Sequence, residues 1–120
     1  MTLRSAIRLL VPVLAATMTT AVQAHTALRT ANPVSGSVLT APPPVLTLTF
    51  VEPASLTALT LVNASGQRQL AFTPVGSALT FSSRRPPLVR GRNEIRWRAL
   101  SRDGHVIEGS IIIVLRAPAR

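Results

Sequence analysis

The chain has 120 residues, among them 13 arginines, no lysine, four acidic residues and two histidines, and its formal net charge is +9. This is the length of one domain. The complete absence of cysteine excludes disulfides, thiolate catalysis and cysteine-ligated zinc or iron–sulfur sites, and it leaves few residues for metal or acid–base chemistry.

Residues 1–24 have the features of a secretory signal peptide. Arg4 and Arg8 precede an apolar stretch that ends in the small-residue segment 22–24, which is the order of a signal and its cleavage site. The stretch is short for a transmembrane helix, which needs about 20 apolar residues. We therefore expect cleavage after Ala24, export, and a mature domain of residues 25–120 without a membrane span; an uncleaved N-terminal anchor is the alternative.

Residues 25–120 show the pattern of a small all-β domain. Turn-forming residues recur about every ten positions, which is typical of a sandwich or barrel, and the ten prolines of the chain disfavour helices. Alternating side chains predict strands at 45–51, 56–62, 93–100 and 106–115, with shorter candidates at 69–73 and 78–82. Glu52-Pro53 is expected to end the first strand, and the core is expected to contain Trp97, Phe50, Phe72 and Phe81.

The two histidines occupy positions that suggest one shared metal site. After cleavage His25 offers an α-amine and an imidazole, and Asp103-Gly104-His105 offers a carboxylate and a second imidazole. In an extended segment, positions i and i+2 face the same side. Three nitrogens and one oxygen favour Cu(II), although zinc also accepts such ligands. Cu(I) binding is disfavoured, because residues 25–120 contain neither cysteine nor methionine and so lack the sulfur ligands that Cu(I) prefers.

Each part of this constellation also has a simpler interpretation. Asp103-Gly104 is a dipeptide that is common in hairpin turns, and its role could simply be to join two strands. An N-terminal histidine is often a disordered chain end, and His105 could be an ordinary surface residue.

The mature sequence resembles the CopC family of periplasmic copper-resistance proteins. The resemblance covers nearly all of residues 25–120. It is carried by the histidine at the cleavage point, by the strand that runs into Glu52-Pro53, and above all by Trp97 followed by Ser101-Arg102-Asp103-Gly104-His105 and Gly109-Ser110. The resemblance implies a Greek-key β-sandwich or barrel, immunoglobulin-like in architecture.

The resemblance also implies a Cu(II) site and a role for its residues. It assigns the metal to His25 through its amine and imidazole, to Asp103 and to His105, with Glu52 as a weaker candidate near the site. It implies a periplasmic copper carrier, not an enzyme, whose partners are the copper ion and an inner-membrane copper transporter or another periplasmic copper protein. The chain lacks the methionine-rich segment of many members, which suggests a Cu(II)-only protein, and it has Ala27 and Asn93 where members carry histidine and an aromatic residue.

Other functions are considered beside the copper carrier. A copper-dependent oxidative enzyme could use a similar N-terminal histidine, but a direct Asp103 ligand would fill the open position that oxygen needs. A basic module could attract nucleic acid or anionic lipid, but the arginines are dispersed along the sequence without an aromatic platform, and we expect no nucleic-acid partner. A β-sandwich without any ligand is the remaining alternative.

Overall fold

The computed structural model describes residues 27–118, and the regular elements of this range are seven β-strands. They are β1 (Leu28–Asn32), β2 (Ser37–Leu39), β3 (Val45–Asn63), β4 (Gly66–Gln69), β5 (Ser77–Arg84), β6 (Gly91–Ser101) and β7 (Val106–Leu115). No helix that is long and apolar enough to cross a bilayer occurs within residues 27–118.

The strands form one sheet that curls over a common core. Its order is β1-β3-β6-β7-β2, and β4 and β5 both pair with β3. All pairings are antiparallel except that of β2 with β7. The first half of β3 pairs with β1 and β5, while its second half pairs with β6 and β4. One strand therefore serves both layers, and the prediction of an all-β Greek-key sandwich or barrel is confirmed.

The prediction that β3 would be two strands is wrong. The structure has one strand of 19 residues, and the pairing of β3 with β5 shifts register between Thr49 and Ala54. Val51 and Glu52 are exposed at this shift, and Pro53 is half-buried. A proline inside a sheet is tolerated at such an irregularity because its missing N–H breaks no ladder bond there. Glu52-Pro53 thus marks a bend within the strand and not its end.

The shorter strands were predicted less well. The strand expected at 69–73 is wrong: β4 ends at Gln69, and Thr73 forms only an isolated bridge with Ser82. All residues of β4 are exposed, so no apolar alternation marks it. The strand expected at 78–82 lies inside the longer β5, and β1 and β2 were not predicted.

The predictions for β6 and β7 are confirmed. Ile95, Trp97 and Ala99 are buried, whereas the glutamate and arginines between them point outward. The two strands pair in unbroken register from Gly91 opposite Leu115 to Leu100 opposite Val106. This regular hairpin places the short segment 101–105 at one end of the sheet.

Aromatic side chains join the two layers. The ring of Phe50 in β3 lies edge-on to Trp97, with 5.3 Å between ring centroids, and edge-on to Phe81 at 5.8 Å. These three side chains are at most 2% exposed, as predicted. Phe72 is only partly buried and contacts Phe81 from the margin of the core.

Asn93 is buried at the end of the sheet that lies away from the turn 101–105, and hydrogen bonds pair its side-chain amide. Its Oδ1 accepts from the Val89 backbone N–H at 2.9 Å and from the Asn63 Nδ2 at 3.1 Å. Its Nδ2 donates to the carbonyl of Val89 at 2.8 Å, with longer contacts to Gly91 and Ile113. A buried amide costs little when it is paired in this way. Asn93 therefore fixes the loop before β6 to the end of β3.

Candidate metal centre

Asp103 and His105 lie in the turn that joins β6 to β7. The Ser101 backbone N–H donates to the His105 carbonyl at 2.8 Å, and the Gly104 N–H donates to the Ser101 carbonyl at 3.0 Å. Gly104 has a φ of 87°, a conformation that favours glycine. The interpretation of Asp103-Gly104 as a hairpin turn is correct, and this turn is also what presents the two candidate ligands.

The side chains of Asp103 and His105 are in direct contact. The distance between Asp103 Oδ2 and His105 Nδ1 is 2.9 Å. The expectation that an extended segment would bring them together is wrong, because residues 102–104 form the turn itself. An ionised carboxylate only accepts hydrogen bonds, so in the neutral imidazole Nδ1 carries the proton and Nε2 of His105 offers its lone pair to an external ligand.

Ser101 holds this pair in place. Its hydroxyl donates to Asp103 Oδ1, and its Oγ accepts the backbone N–H of His105 at 3.2 Å. The hydrogen bond from Ser101 is the main cause, ahead of the contact with His105, that lowers the pKa of Asp103 below its ordinary value. Asp103 is therefore ionised at neutral pH and carries the charge that a cation requires.

Ser101 is the residue of this site that the sequence reasoning missed as a contributor. In the sequence, Ser101 contributes to the family resemblance only as the first residue of the segment 101–105. The available signal was the spacing, since a serine two residues before an aspartate in a turn often bonds to local groups. Arg102 next to Asp103 is exposed to solvent.

Glu52 lies at the same end of the sheet but does not join the Asp103–His105 pair. It is exposed, and no hydrogen bond links it to either residue in the part of the chain that the structure describes. The pairing of Ala54 with Ser101 brings the bend of β3 beside the turn. A pocket of about 310 Å³ forms there, lined by Ala27, Val51, Glu52, Pro53, Ala54, Ser101 and Ile107.

His25, the first predicted ligand, lies outside the described residues. Residues 27–118 contain no group of three or more histidine and acidic side chains that is arranged to hold a metal ion. The described range thus contributes a two-residue pair, Asp103 and His105, with Ser101 behind it. The ring of Trp97, which is buried, lies four residues before the turn in β6.

Comparisons with known proteins agree with the resemblance noted in the sequence. A family profile described as the CopC domain matches residues 28–114. The fold is similar to that of CopC from Methylosinus trichosporium OB3b, with a TM-score of 0.64 and 19% identity over 78% of this chain and 95% of that one. PcoC, a methionine-rich copper resistance protein from Escherichia coli, is 26% identical with a TM-score of 0.52, over 74% of this chain and 96% of that one. The search of curated proteins gives no match.

Proposed function

The chain belongs to the CopC family, and from that premise we propose that it is an exported protein that binds Cu(II) and buffers or delivers it in the periplasm. The observation that carries the proposal is the contact between Asp103 and His105 at 2.9 Å in an exposed turn. One imidazole nitrogen and the charged carboxylate face solvent, and no arginine among residues 27–118 lies within 4 Å of that carboxylate.

The short spacing between His25 and Ala27 supports His25 as the third residue of the site. Ala27 lines the same pocket as Ser101, whose hydroxyl is bonded to Asp103. Two residues of extended chain span at most about 7 Å. Removal of residues 1–24 would give a chain that begins at His25, and this short spacing would allow its amine and imidazole to approach the turn.

The donor set fits divalent copper. An amine, two imidazoles and a carboxylate are nitrogen and oxygen ligands of the kind that tetragonal Cu(II) accepts. Glu52, at the rim of the pocket, is proposed only as an additional contact to the metal. Deprotonated donors are required, so we expect binding to weaken as the pH falls.

We further propose that the protein passes copper to another protein and is not an enzyme. Leu100 and Val106, which pair with each other where the hairpin meets the turn, are 42% and 60% exposed. Exposed apolar side chains beside a site suit contact with a partner, such as an inner-membrane transporter or another periplasmic copper protein. If the copper-loaded protein with a reductant released more peroxide than free copper does, the proposal that it is not an enzyme would be contradicted.

The test is a Cu(II) titration of protein that begins at His25, followed by Trp97 fluorescence and by the copper EPR spectrum. We expect saturation at one copper per chain with a nitrogen-rich tetragonal signal. His105→Ala, and separately one extra residue before His25, should each weaken binding by at least about a hundredfold, because each removes a ligand.

Glu94→Ala is the matched control for this titration. Glu94 is an acidic residue of the same hairpin, but its contacts are with Arg92 and Arg96, away from the turn. The affinity of the Glu94→Ala variant for copper should stay within about twofold of that of the parent protein. Equal binding by the extended chain would exclude the amine as a ligand, and no saturable binding by the parent would overturn the proposed function.

A further inference from the structure

Six arginines that are dispersed in the sequence lie together at the end of the sheet opposite the candidate metal centre. Strand β6 runs from Gly91 to Ser101, so its two ends are about 33 Å apart at 3.3 Å per residue. The turn 101–105 occupies one end. We call the other end the basic end; its arginines are Arg68, Arg84, Arg85, Arg90, Arg92 and Arg116.

Backbone contacts fix this placement. Arg84 pairs with Val45 and the Arg85 N–H donates to the Pro44 carbonyl at 2.9 Å; the short segment 86–89 then joins Arg85 to Arg90, directly before β6. Arg116 follows Leu115, which is opposite Gly91. Arg90 and Arg92 flank that glycine, and Arg68 lies in β4 beside the last residues of β3. Four separate segments therefore converge on one surface.

The charge of the molecule is divided unevenly between its two ends. All six arginines of the basic end are exposed. Within residues 27–118 only Arg92 among them lies within 4 Å of a carboxylate, at 3.9 Å from Glu94, which is also bonded to Arg96. The other three acidic residues, Glu52, Asp103 and Glu108, lie toward the metal-centre end, where Arg29, Arg98 and Arg102 balance them.

The chemistry of the basic end favours phosphate groups. Guanidinium groups bind phosphate oxygens in a bidentate manner, which ammonium groups do not, and every cation here is an arginine. A protein interface usually has an apolar centre and keeps its charges at the rim. The pocket at this end is instead lined mostly by polar residues and glycine around Arg68. A broad layer of phosphates fits this surface better than a folded protein partner does.

We propose that the basic end is a docking surface for anionic phospholipid membranes. The protein would bind peripherally through the arginines of this end, which an anionic surface attracts. In this orientation the turn 101–105 points away from the bilayer. The proposal rests on the distribution of arginine and not on copper binding, so either can fail without the other.

The experiment measures binding of the processed protein to vesicles by cosedimentation. The vesicles are phosphatidylcholine alone, or phosphatidylcholine with about 30% phosphatidylglycerol, at about 0.1 M salt, where the Debye length is about 10 Å. We expect binding only to the anionic vesicles, and its loss near 1 M salt, where the Debye length falls to about 3 Å.

Two charge-matched variants locate the surface. The first replaces Arg68, Arg84, Arg90 and Arg92 by glutamine; the second replaces Arg29, Arg96, Arg98 and Arg102 by glutamine. Both lose four charges, but we expect the first to bind anionic vesicles at least about 30-fold more weakly and the second to change by less than about threefold. Circular dichroism checks that both are folded.

Three outcomes would overturn the proposal. Equal binding to neutral vesicles would show that charge is not responsible. Equal weakening in both variants would show that net charge acts without a defined surface. No vesicle binding by the folded parent at about 0.1 M salt would remove the membrane as partner and leave an acidic protein surface as the occupant to be sought.

Discussion

The charge on Asp103 is controlled by a neighbour that contributes no charge of its own. The Ser101 hydroxyl donates to one carboxylate oxygen, and His105 contacts the other at 2.9 Å. Both bonds favour the ionised form, and they hold the pKa of Asp103 below its ordinary value. Ser101 thus acts as a positioning residue for both proposed ligands in the turn.

Removal of this hydroxyl should change the titration of Asp103. In Ser101→Ala we expect the pKa of Asp103 to rise toward its ordinary value, because the main cause of its depression is lost. A carboxyl group whose pKa is lower in the folded state than in the unfolded state stabilises the fold at pH values above its unfolded-state pKa. This stabilisation is lost as the pH falls through its folded-state pKa. The variant should therefore have less of this acid-sensitive stability. Carboxyl carbon NMR titration of the metal-free protein measures the shift.

Ser101→Thr is the control for this substitution, since it keeps a hydroxyl at the same position. It should retain the low pKa of Asp103. If Ser101→Ala titrates like the parent, the hydrogen bond from Ser101 is not what sets the charge of the site.

Strand β3 is the element that makes the two layers one domain. Its first half pairs with β1 and β5, and its second half pairs with β6 and β4. Phe50 lies just before the bend and contacts both Trp97 of β6 and Phe81 of β5. The packing at Phe50 therefore links β6, which ends at the turn 101–105, to the opposite layer.

Truncation of Phe50 should be far more costly than truncation of Phe72. Phe50→Ala leaves a cavity between the layers, and we expect it to lower the free energy of unfolding by about 3–5 kcal/mol. Phe72 is only partly buried at the margin of the core, so Phe72→Ala should cost less than half as much. Urea unfolding followed by circular dichroism measures both values. Similar losses in the two variants would contradict the central position of Phe50.

Sequence alone predicted the elements whose side chains alternate. Strands β6 and β7 are clear for this reason, whereas β4 has only exposed residues and β1 and β2 are short. Their strand conformation depends on partners distant in the chain, which local pattern does not encode. The sequence predicts a strand end at Glu52-Pro53 because a proline removes a backbone donor. It does not show that the strand continues with a different pairing partner after the bend.

The candidate site was predictable in its residue types but not in its geometry. The rarity of histidine and aspartate in this chain drew attention to Asp103 and His105, and the structure brings them into contact. Their meeting depends on the turn and on Ser101, which the spacing alone did not establish. The roles of His25, Asp103, His105 and Glu52 as metal ligands stay predictions.

The candidate metal centre and the basic end are separated by the length of β6, about 33 Å. This distance exceeds the Debye length of about 10 Å at 0.1 M salt. A charge added at one end is therefore largely screened from the other.

We accordingly expect copper and vesicle binding to be independent. Addition of one equivalent of Cu(II) should change the affinity for anionic vesicles by less than about twofold, because the two ends are screened from each other. Cosedimentation with and without the metal measures this. A tenfold change would show that the two ends are coupled or that copper itself bridges the protein to the lipid.

The unbroken pairing of β6 with β7 also bears on the order in which the chain folds. This hairpin is closed by the turn 101–105 and joins neighbours in sequence, whereas the pairing of β3 with β6 joins distant segments such as Ala54 and Ser101. Hairpins form in about 1–10 μs, and long-range pairing is slower because more chain must be ordered first. We expect the Asp103–His105 pair to assemble early, so that a newly made chain displays these two candidate ligands before its core has closed.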